Sequence, residues 1–515
     1  MCNSAVVAEL RAFAIKVDLC DNTAMKNTAL LKCVTACCAV VVSGAAFAAV
    51  TPGAPFSDGA VLQRGMKVPV WGKASPGETV KVEFAGQSLT AKAGADGKWR
   101  VDLAPMEACS EGRVLRMGGV EVKDVLVGEV WFASGQSNTE CPIWGPAPRY
   151  RDGNGALMIQ KTRKPLVRFV KNTRNWSLKP ADLKATWRTF EPKSFNGGGM
   201  ALSGIAFYYA LELHDALGIP VGIVDSSWGG SPIEAWLPRD EIAKRPELAK
   251  IAAYKVCEKK DWKKSPECPH SWAAEMQPGV LFDGMVAAYA PMAMRGMIWY
   301  QGCSNAGDGD MYTVKMHVLC DGWSRKFENP GMKLYFCGLA PYKNTWFGAV
   351  KAQTKFVNEE PRAAIAYLSD VGNPNDIHPN DKRTPAMRLA LHALKRDYGF
   401  SDIKDESPSF ESAKVEGDVV SITFKDAKDI YVYNRDYTLD SGFELAGEDG
   451  KFAKAEILNV RKDGGNLGAI GGKVLKLKAD GVAAPKKVRY LYSVPVKGAI
   501  YNEASLPLGA FESAL

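Results

Sequence analysis

Gly128-Glu129-Val130-Trp131-Phe132-Ala133-Ser134-Gly135-Gln136-Ser137-Asn138 decides how the chain is read. With Val125-Leu126-Val127 ahead of it, the stretch begins as an apolar run and stops at Ser134-Gly135. A buried strand that ends in small residues leaves the next polar side chain at the rim of a sheet. In open α/β sheets the rim at the carboxyl ends of the strands is where ligands bind. Ser137 is therefore a candidate nucleophile. Serine is also a preferred helix N-cap, so a capping role is the alternative that the rest of the chain must decide.

Outward from this strand the pattern changes character. Between Ala49 and Lys123, Val68–Gly72, Val80–Phe84 and Leu89–Ala93 alternate with period two, and Pro76-Gly77 and Asp96-Gly97 mark turns. From Asp124, strands alternate with helical periodicity, which predicts βα units and a mostly parallel sheet. The expected strands are Val221–Val224, Gly296–Tyr300, Leu334–Cys337 and Ala364–Leu368; the expected helices are Ile205–Leu217, stopped by Gly218 and Pro220, and Thr384–Lys395. Thr139–Ser203 has weak periodicity and reads as long loops over the sheet edge. Past Phe400 the β pattern returns in Val419–Phe424, Val474–Leu477 and Val488–Tyr492.

At 515 residues the chain is long enough for two or three domains. The expected divisions are 1–48, an upstream extension plus signal peptide; 49–123, an N-terminal β domain; 124–400, the α/β domain; and 401–515, a C-terminal β-rich domain. The formal charge of +8 is spread over 65 basic and 57 acidic residues without a basic block, which argues against a nucleic-acid partner. Lys26 and Lys32 ahead of the apolar Cys33–Val42, with Ala46-Phe47-Ala48 as an A-x-A site, have the layout of a secretory signal peptide. The expectation is export to the periplasm or the exterior, with a lipoprotein at Cys37 as the weaker alternative. No other stretch reaches the ~20 apolar residues of a membrane span. Cleavage after Ala48 would leave Cys109, Cys141, Cys257, Cys268, Cys303, Cys320 and Cys337, an odd set with no metal spacing. Cys257–Cys268 is the expected disulfide.

A serine esterase needs a base and oxyanion donors as well as a nucleophile. Of five histidines, His214, His317 and His392 fall in helical patterns and His270 in a Lys/Pro-rich loop. His378, in Asp376-Ile377-His378-Pro379, follows a strand and precedes a helix, at the same sheet edge as Ser137. Asp376 can orient its ring. Two further strands end in polar loops, Asp225–Ser231 with Gly229-Gly230, and Gln301-Gly302-Cys303-Ser304-Asn305.

These four loops together resemble the sialate O-acetylesterase family of SGNH hydrolases. The likeness runs through Gly-Glu-Val-Trp…Ser-Gly-Gln-Ser-Asn, Ser-Ser-Trp-Gly-Gly-Ser-Pro-Ile-Glu-Ala-Trp, Trp-Tyr-Gln-Gly-x-Ser-Asn-Ala, Asp-Ile-His-Pro and the tail Tyr501–Pro507. The resemblance implies a central α/β/α, flavodoxin-like SGNH domain between β-sandwich-like flanks. It implies Ser137 as nucleophile, His378 as base, Asp376 as its assistant, and Gly230, Asn305 and the Ser137 N–H as oxyanion donors. Gln136, Asn138, Trp228, Gln301 and Gln353 would line the substrate pocket. No metal or organic cofactor is implied. Cys303 stands where the family usually has Glu, and Lys351 where it tends to have Arg, which Lys does not replace in a bidentate contact. The implied reaction is removal of O-acetyl groups from a carbohydrate, foremost O-acetylated sialic acids. Acetylated xylan or pectin is the alternative substrate, and a non-catalytic carbohydrate-binding module is the alternative without chemistry.

Overall fold

The computed structural model describes residues 50–145, 151–195, 201–258, 273–342, 346–373, 375–433, 441–462, 467–492 and 500–515. The expected signal peptide, Cys268 and His270 lie outside them.

Seven strands build the central sheet: β1 (Val120–Gly135), β2 (Lys164–Lys171), β3 (Arg188–Phe190), β4 (Val221–Ser227), β5 (Gly296–Tyr300), β6 (Lys333–Cys337) and β7 (Ala363–Ala366). Their order is β3-β2-β4-β1-β5-β6-β7. All pairings are parallel except that of the edge strand β3 with β2. The chain leaves β1 for one side of the sheet and returns through β5 on its other side. The C-terminal end of β1 is therefore the switch point, where connections diverge and open a crevice.

Residues alternate between two cores along each strand. Val130 and Phe132 of β1 and Met297 and Trp299 of β5 belong to one; Trp131, Ala133, Ile298 and Tyr300 belong to the other. Helices α1 (Gly204–Leu217) and α4 (Arg383–Asp397) cover the second face, and α2 (Met311–Lys326) covers the first. A further helix, α3 (Phe347–Glu359), gives Ala352 and Phe356 to the first core and Ala349 and Val350 to the second. Gly218 closes α1 in the left-handed region at φ 67°, the C-terminal role for which glycine is suited.

The expectation for Thr139–Ser203 is corrected. This segment contains β2, β3 and a helix over Gly155–Lys161. Val167 and Phe169 are fully buried in β2 although Pro165 and Arg168 interrupt the apolar run. Arg168 enters because Asp124 Oδ2 at 2.8 Å and the Pro165 carbonyl at 2.6 Å accept from its guanidinium.

β1 is long because it serves two neighbourhoods. Its first part pairs antiparallel with Cys109–Met117 and parallel with Val61–Gln63; its last part is the middle of the parallel sheet. The core of the residues before Asp124 is continuous with one face of that sheet. The C-terminal strands form a seven-stranded and a four-stranded sheet around a core of their own. They touch the centre where Ser369 Oγ donates to the Leu508 carbonyl at 2.9 Å and Tyr501 Oη to Asp370 at 3.3 Å. Residues 50–515 form one compact unit. Among the described residues no helix is long and apolar enough to cross a membrane.

Candidate active site

At the end of β1 the backbone turns sharply. Gly135 has φ +137°, and a Cβ there would lie 2.4 Å from the Tyr300 carbonyl oxygen and 2.5 Å from Thr139 Oγ1. Only glycine fits this turn. The next residue, Gln136, is the N-cap of a short helical turn, Ser137–Glu140, and makes no side-chain cap. Ser137 is thus the first residue of the turn rather than its cap, half-buried at the rim of β1. Gln136 Oε1 accepts from the Gly302 and Ser304 N–H groups at 3.0 and 3.3 Å, tying the Ser137 turn to the loop after β5.

The loop after β7 carries His378. Asn138 Nδ2 donates to the Ile377 carbonyl at 3.0 Å, so the residue after Ser137 is bonded to the residue before His378. Asp376 Oδ1 accepts the His378 backbone N–H at 2.9 Å and lies 3.8 Å from its Nδ1. That is electrostatic contact rather than a hydrogen bond. Burial pushes the His378 imidazole below its ordinary value and the Lys382 charge adds to this, while Asp376 pulls the other way. A base held neutral can accept a proton from a serine. The other described histidines are committed elsewhere: His392 sits between Asp405 and the Ile365 carbonyl, His214 against the Ile219 carbonyl, and His317 at Glu359.

The glycine loop after β4 stands beside Ser137. A Cβ on Gly229 would lie 3.4 Å from Ser137 Cβ. Glu140 Oε2 accepts the Gly229 N–H at 2.9 Å, and Arg174 grips the same carboxylate with two bonds of 2.6 Å. The Arg174 guanidinium lies 5.4 Å over the ring of Trp228. Gly230 is exposed, with φ +76°, and nothing lies within 4 Å of where its Cβ would stand.

Several sequence expectations change. Asn305 Oδ1 accepts from Ile233 N and Gln301 Nε2, and its Nδ2 donates to Glu234 at 2.9 Å and Asp308 at 2.8 Å. Both amide hydrogens are therefore spent on carboxylates, and none is left for an oxyanion. Gln301 and Gln353 are fully buried rather than pocket-lining. Gln301 bonds Ser231, Asn305 and Tyr312, and Gln353 bonds Leu339, Gln301 and Cys337. Gln136 and Asn138 are buried loop ties as well, which leaves Trp228 as the partly exposed member of the expected pocket. Lys351 is exposed on α3. Burial pushes the Cys303 thiol up to about 12, so it stays protonated and neutral.

Three groups escaped sequence reasoning. Lys315 lies buried between Glu234 and Asp308, at 2.5 Å from each, beneath Asn305. Glu140 and Arg174 hold the glycine loop. Lys382 is buried with its Nζ 2.6 Å from Asn138 Oδ1. Only spacing across more than 200 residues, which no local pattern carries, pairs Lys382 with Asn138. Cys257 is disulfide-bonded, and its expected partner Cys268 lies outside the described residues. Among the described residues no group of three or more His, Cys, Asp or Glu could hold a metal.

Comparison with known proteins bears on this site. Residues 127–387, just over half of the chain, match the family model for carbohydrate esterase, sialic acid-specific acetylesterase. The sialate O-acetylesterase of Rattus norvegicus is 27% identical over 398 residues, 66% of this chain and 72% of the relative. That of Homo sapiens is 27% identical over 379 residues, 66% and 69% respectively. The crystal structure of a carbohydrate acetylesterase from Xanthomonas citri superposes with a TM-score of 0.75 at 28% identity, covering 90% of this chain and 99% of that one. The matched span begins in β1 before Ser137 and ends in α4 beyond His378, and the chain belongs to the sialic acid-specific acetylesterase family of carbohydrate esterases, as a carboxylic ester hydrolase.

Proposed function

We propose that this protein is an exported serine esterase that removes acetyl groups from the hydroxyls of O-acetylated sialic acids through an acetyl-enzyme. The observation that carries the reading is the bond from Asn138 to the Ile377 carbonyl, which joins the Ser137 turn to the His378 loop at the switch point of the sheet. Ser137 Oγ attacks the acetyl carbonyl carbon while His378 takes its proton. The Ser137 and Gly230 N–H groups receive the developing oxyanion. Collapse releases the sugar hydroxyl, which regains the proton from His378. Water, deprotonated by His378, then attacks acetyl-Ser137; the acyl–Oγ bond breaks, His378 returns the proton to Ser137 Oγ, and acetate leaves. Asn305 acts from beneath, holding the loop after β5 to Glu234 and Asp308.

The strand order β4-β1-β5-β6-β7, second-first-third-fourth-fifth in the chain, supports reading the centre as a flavodoxin-like SGNH domain. In the same reading 49–123 and 401–515 are β-rich flanks docked on it. Export rests on the sequence layout before Ala48. Acetate release from O-acetylated sialic acid, acetylated xylan and acetylated pectin, measured side by side, tests the substrate. Turnover on either plant glycan exceeding that on sialic acid by about tenfold, ~1.4 kcal/mol of barrier, overturns it.

Two further results are expected at this site. Because the imidazole of His378 is held below its ordinary value, the unprotonated base persists as pH falls. The acid limb of kcat/KM should therefore lie below the ~6.5 of a free histidine. A limb above 7 contradicts this. Asp376→Asn removes the charge that favours the imidazolium formed in the transition state. With Asp376 at 3.8 Å and one-third exposed, solvent screens the pair, so kcat should fall about tenfold, ~1.4 kcal/mol. The acid limb should move further down. A loss under about threefold leaves Ser137 and His378 as a dyad.

A further inference from the structure

Lys382 is a lysine that the chain buries without pairing it. Its residue is 1% exposed, and the hydrogen-bond partner of its ammonium is the Asn138 amide oxygen rather than a carboxylate. Burial penalises an ammonium and pushes Lys382 below its ordinary value, with the charges of Asp152 and Asp381 acting the other way; its chain neighbours Asp381 and Arg383 are exposed. The stem is accommodated because Gly204 faces it: a Cβ on Gly204 would lie 3.0 Å from Lys382 Cβ and 3.1 Å from its Cγ. The backbone is fixed as well, since Lys382 N–H donates to Asp152 Oδ2 at 3.1 Å. Asp152 Oδ1 in turn accepts from Tyr208 Oη at 2.9 Å. At the end of this buried stem the ammonium donates to Asn138 Oδ1 at 2.6 Å. The other end of the same amide donates to the Ile377 carbonyl at 3.0 Å. With its oxygen taken by Lys382, Asn138 can present only its NH2 to Ile377, which fixes the orientation of the amide.

We propose that Lys382 is a positioning residue for the esterase reaction, its ammonium fixing Asn138 so that the turn bearing Ser137 is strapped to the loop bearing His378. The inference rests on Ser137 and His378 being nucleophile and base. The strap has an electrostatic consequence. The charged and titratable groups facing Lys382 are Asp152, Asp381, His378 and the thiols of Cys141, Cys303 and Cys337; those facing His378 are Lys382 and Asp376. Burial pushes all three thiols up, so they stay neutral. The Lys382 charge therefore opposes protonation of His378, and Asp376 favours it. Loss of the Lys382 charge should raise the pH at which His378 takes its proton.

The experiment compares the whole protein with Lys382→Met, Lys382→Arg and Ser137→Ala on an aryl acetate across pH. For Lys382→Met the expected result is a plateau kcat at least about tenfold lower, KM within about threefold, and an acid limb moved upward by at least about half a pH unit. Lys382→Arg, which keeps the charge, should leave the limb in place. A merely structural lysine would lower the amount of active enzyme without moving the limb. A folded Lys382→Met protein with kcat within threefold and an unmoved limb overturns the proposal. If Lys382→Met does not fold, Asn138→Asp tests the strap from its other end. It keeps an acceptor for Lys382 but sets a carboxylate oxygen against the Ile377 carbonyl, so kcat should fall at least about tenfold with little change in KM; an unchanged kcat overturns the strap. An inactive Ser137→Ala beside an unaffected Lys382→Met would sink the strap and leave the nucleophile standing. An active Ser137→Ala would overturn the reading on which the strap rests, and the strap with it.

Discussion

Ser137→Ala is expected to lower kcat/KM on acetyl esters by at least about 10³-fold, ~4 kcal/mol of transition-state stabilisation. The side chain stands at the end of the strand that the parallel sheet is built around. Gly135 turns the backbone there, and the neighbours on both sides, Gln136 and Asn138, are tied to the loops after β5 and β7. Those ties use the neighbours' amides and not the Ser137 hydroxyl. The backbone bond from Cys141 N–H to the Ser137 carbonyl at 2.8 Å also survives the change. Alanine is moreover a good helix former at a helical position. The variant should keep the thermal midpoint of the parent within a few degrees. Rapid mixing of the parent with an aryl acetate followed by mass analysis should find one added acetyl group, absent from Ser137→Ala. Residual activity above about a tenth in a folded variant would remove Ser137 from the mechanism.

The loops that meet at this site were legible because each lies where an apolar run stops. Val130-Trp131-Phe132 before Ser137, Val221–Val224 before the glycines and Gly296–Tyr300 before Gln301 are buried strand segments, and a parallel sheet puts their ends on one edge. What those loops do with one another was not legible. Asn305 reads as a donor in sequence, and its hydrogens prove to be spent on Glu234 and Asp308. Lys315, which neutralises both carboxylates, is far from Glu234 in the chain and sits in an ordinary-looking helix. Asp381-Lys382-Arg383 has the composition of a solvated helix start, and only the fold of Gly204 against it reveals that its lysine points inward. β2 was missed for the same reason. Arg168 breaks the apolar pattern, and the Asp124 that makes its burial tolerable comes from a different part of the sheet. Periodicity reports burial, whereas polar satisfaction is decided by partners that sequence proximity does not supply.

The largest effect on stability is expected at Glu129, in the same strand. Its carboxylate is fully buried and accepts five contacts: Arg64 Nε at 2.6 Å, Gln63 Nε2 at 2.9 Å, Tyr398 Oη at 3.0 Å, and Arg295 Nε and Nη2 at 3.2 and 3.4 Å. Gln63 and Arg64 come from the β-rich segment before Asp124, Arg295 stands at the entry to β5, and Tyr398 follows α4. One carboxylate thus gathers three parts of the chain where the parallel pairing of β1 with β4 begins. Glu129→Ala removes it and strands two guanidinium groups and a Gln amide. Breaking a buried pair from one side costs about 3–5 kcal/mol. The Arg64 and Arg295 side chains are 29% and 27% exposed and regain some water, so the lower end, about 3 kcal/mol, is expected. Glu129→Gln separates charge from volume. It fills the same space but turns one acceptor into a donor facing other donors, and should cost more than half as much. Denaturant unfolding followed by tryptophan emission checks both, read on the first transition, because a chain of this size need not unfold in one step. Glu129 lies about 20 Å along β1 from Gly135 at ~3.3 Å per residue, so the folded fraction of either variant should turn over acetyl ester at the parental rate. A loss below about 1 kcal/mol for Glu129→Ala would mean that the two arginines find water on their own, and that hydrophobic burial along β1 alone holds the segment before Asp124 to the sheet.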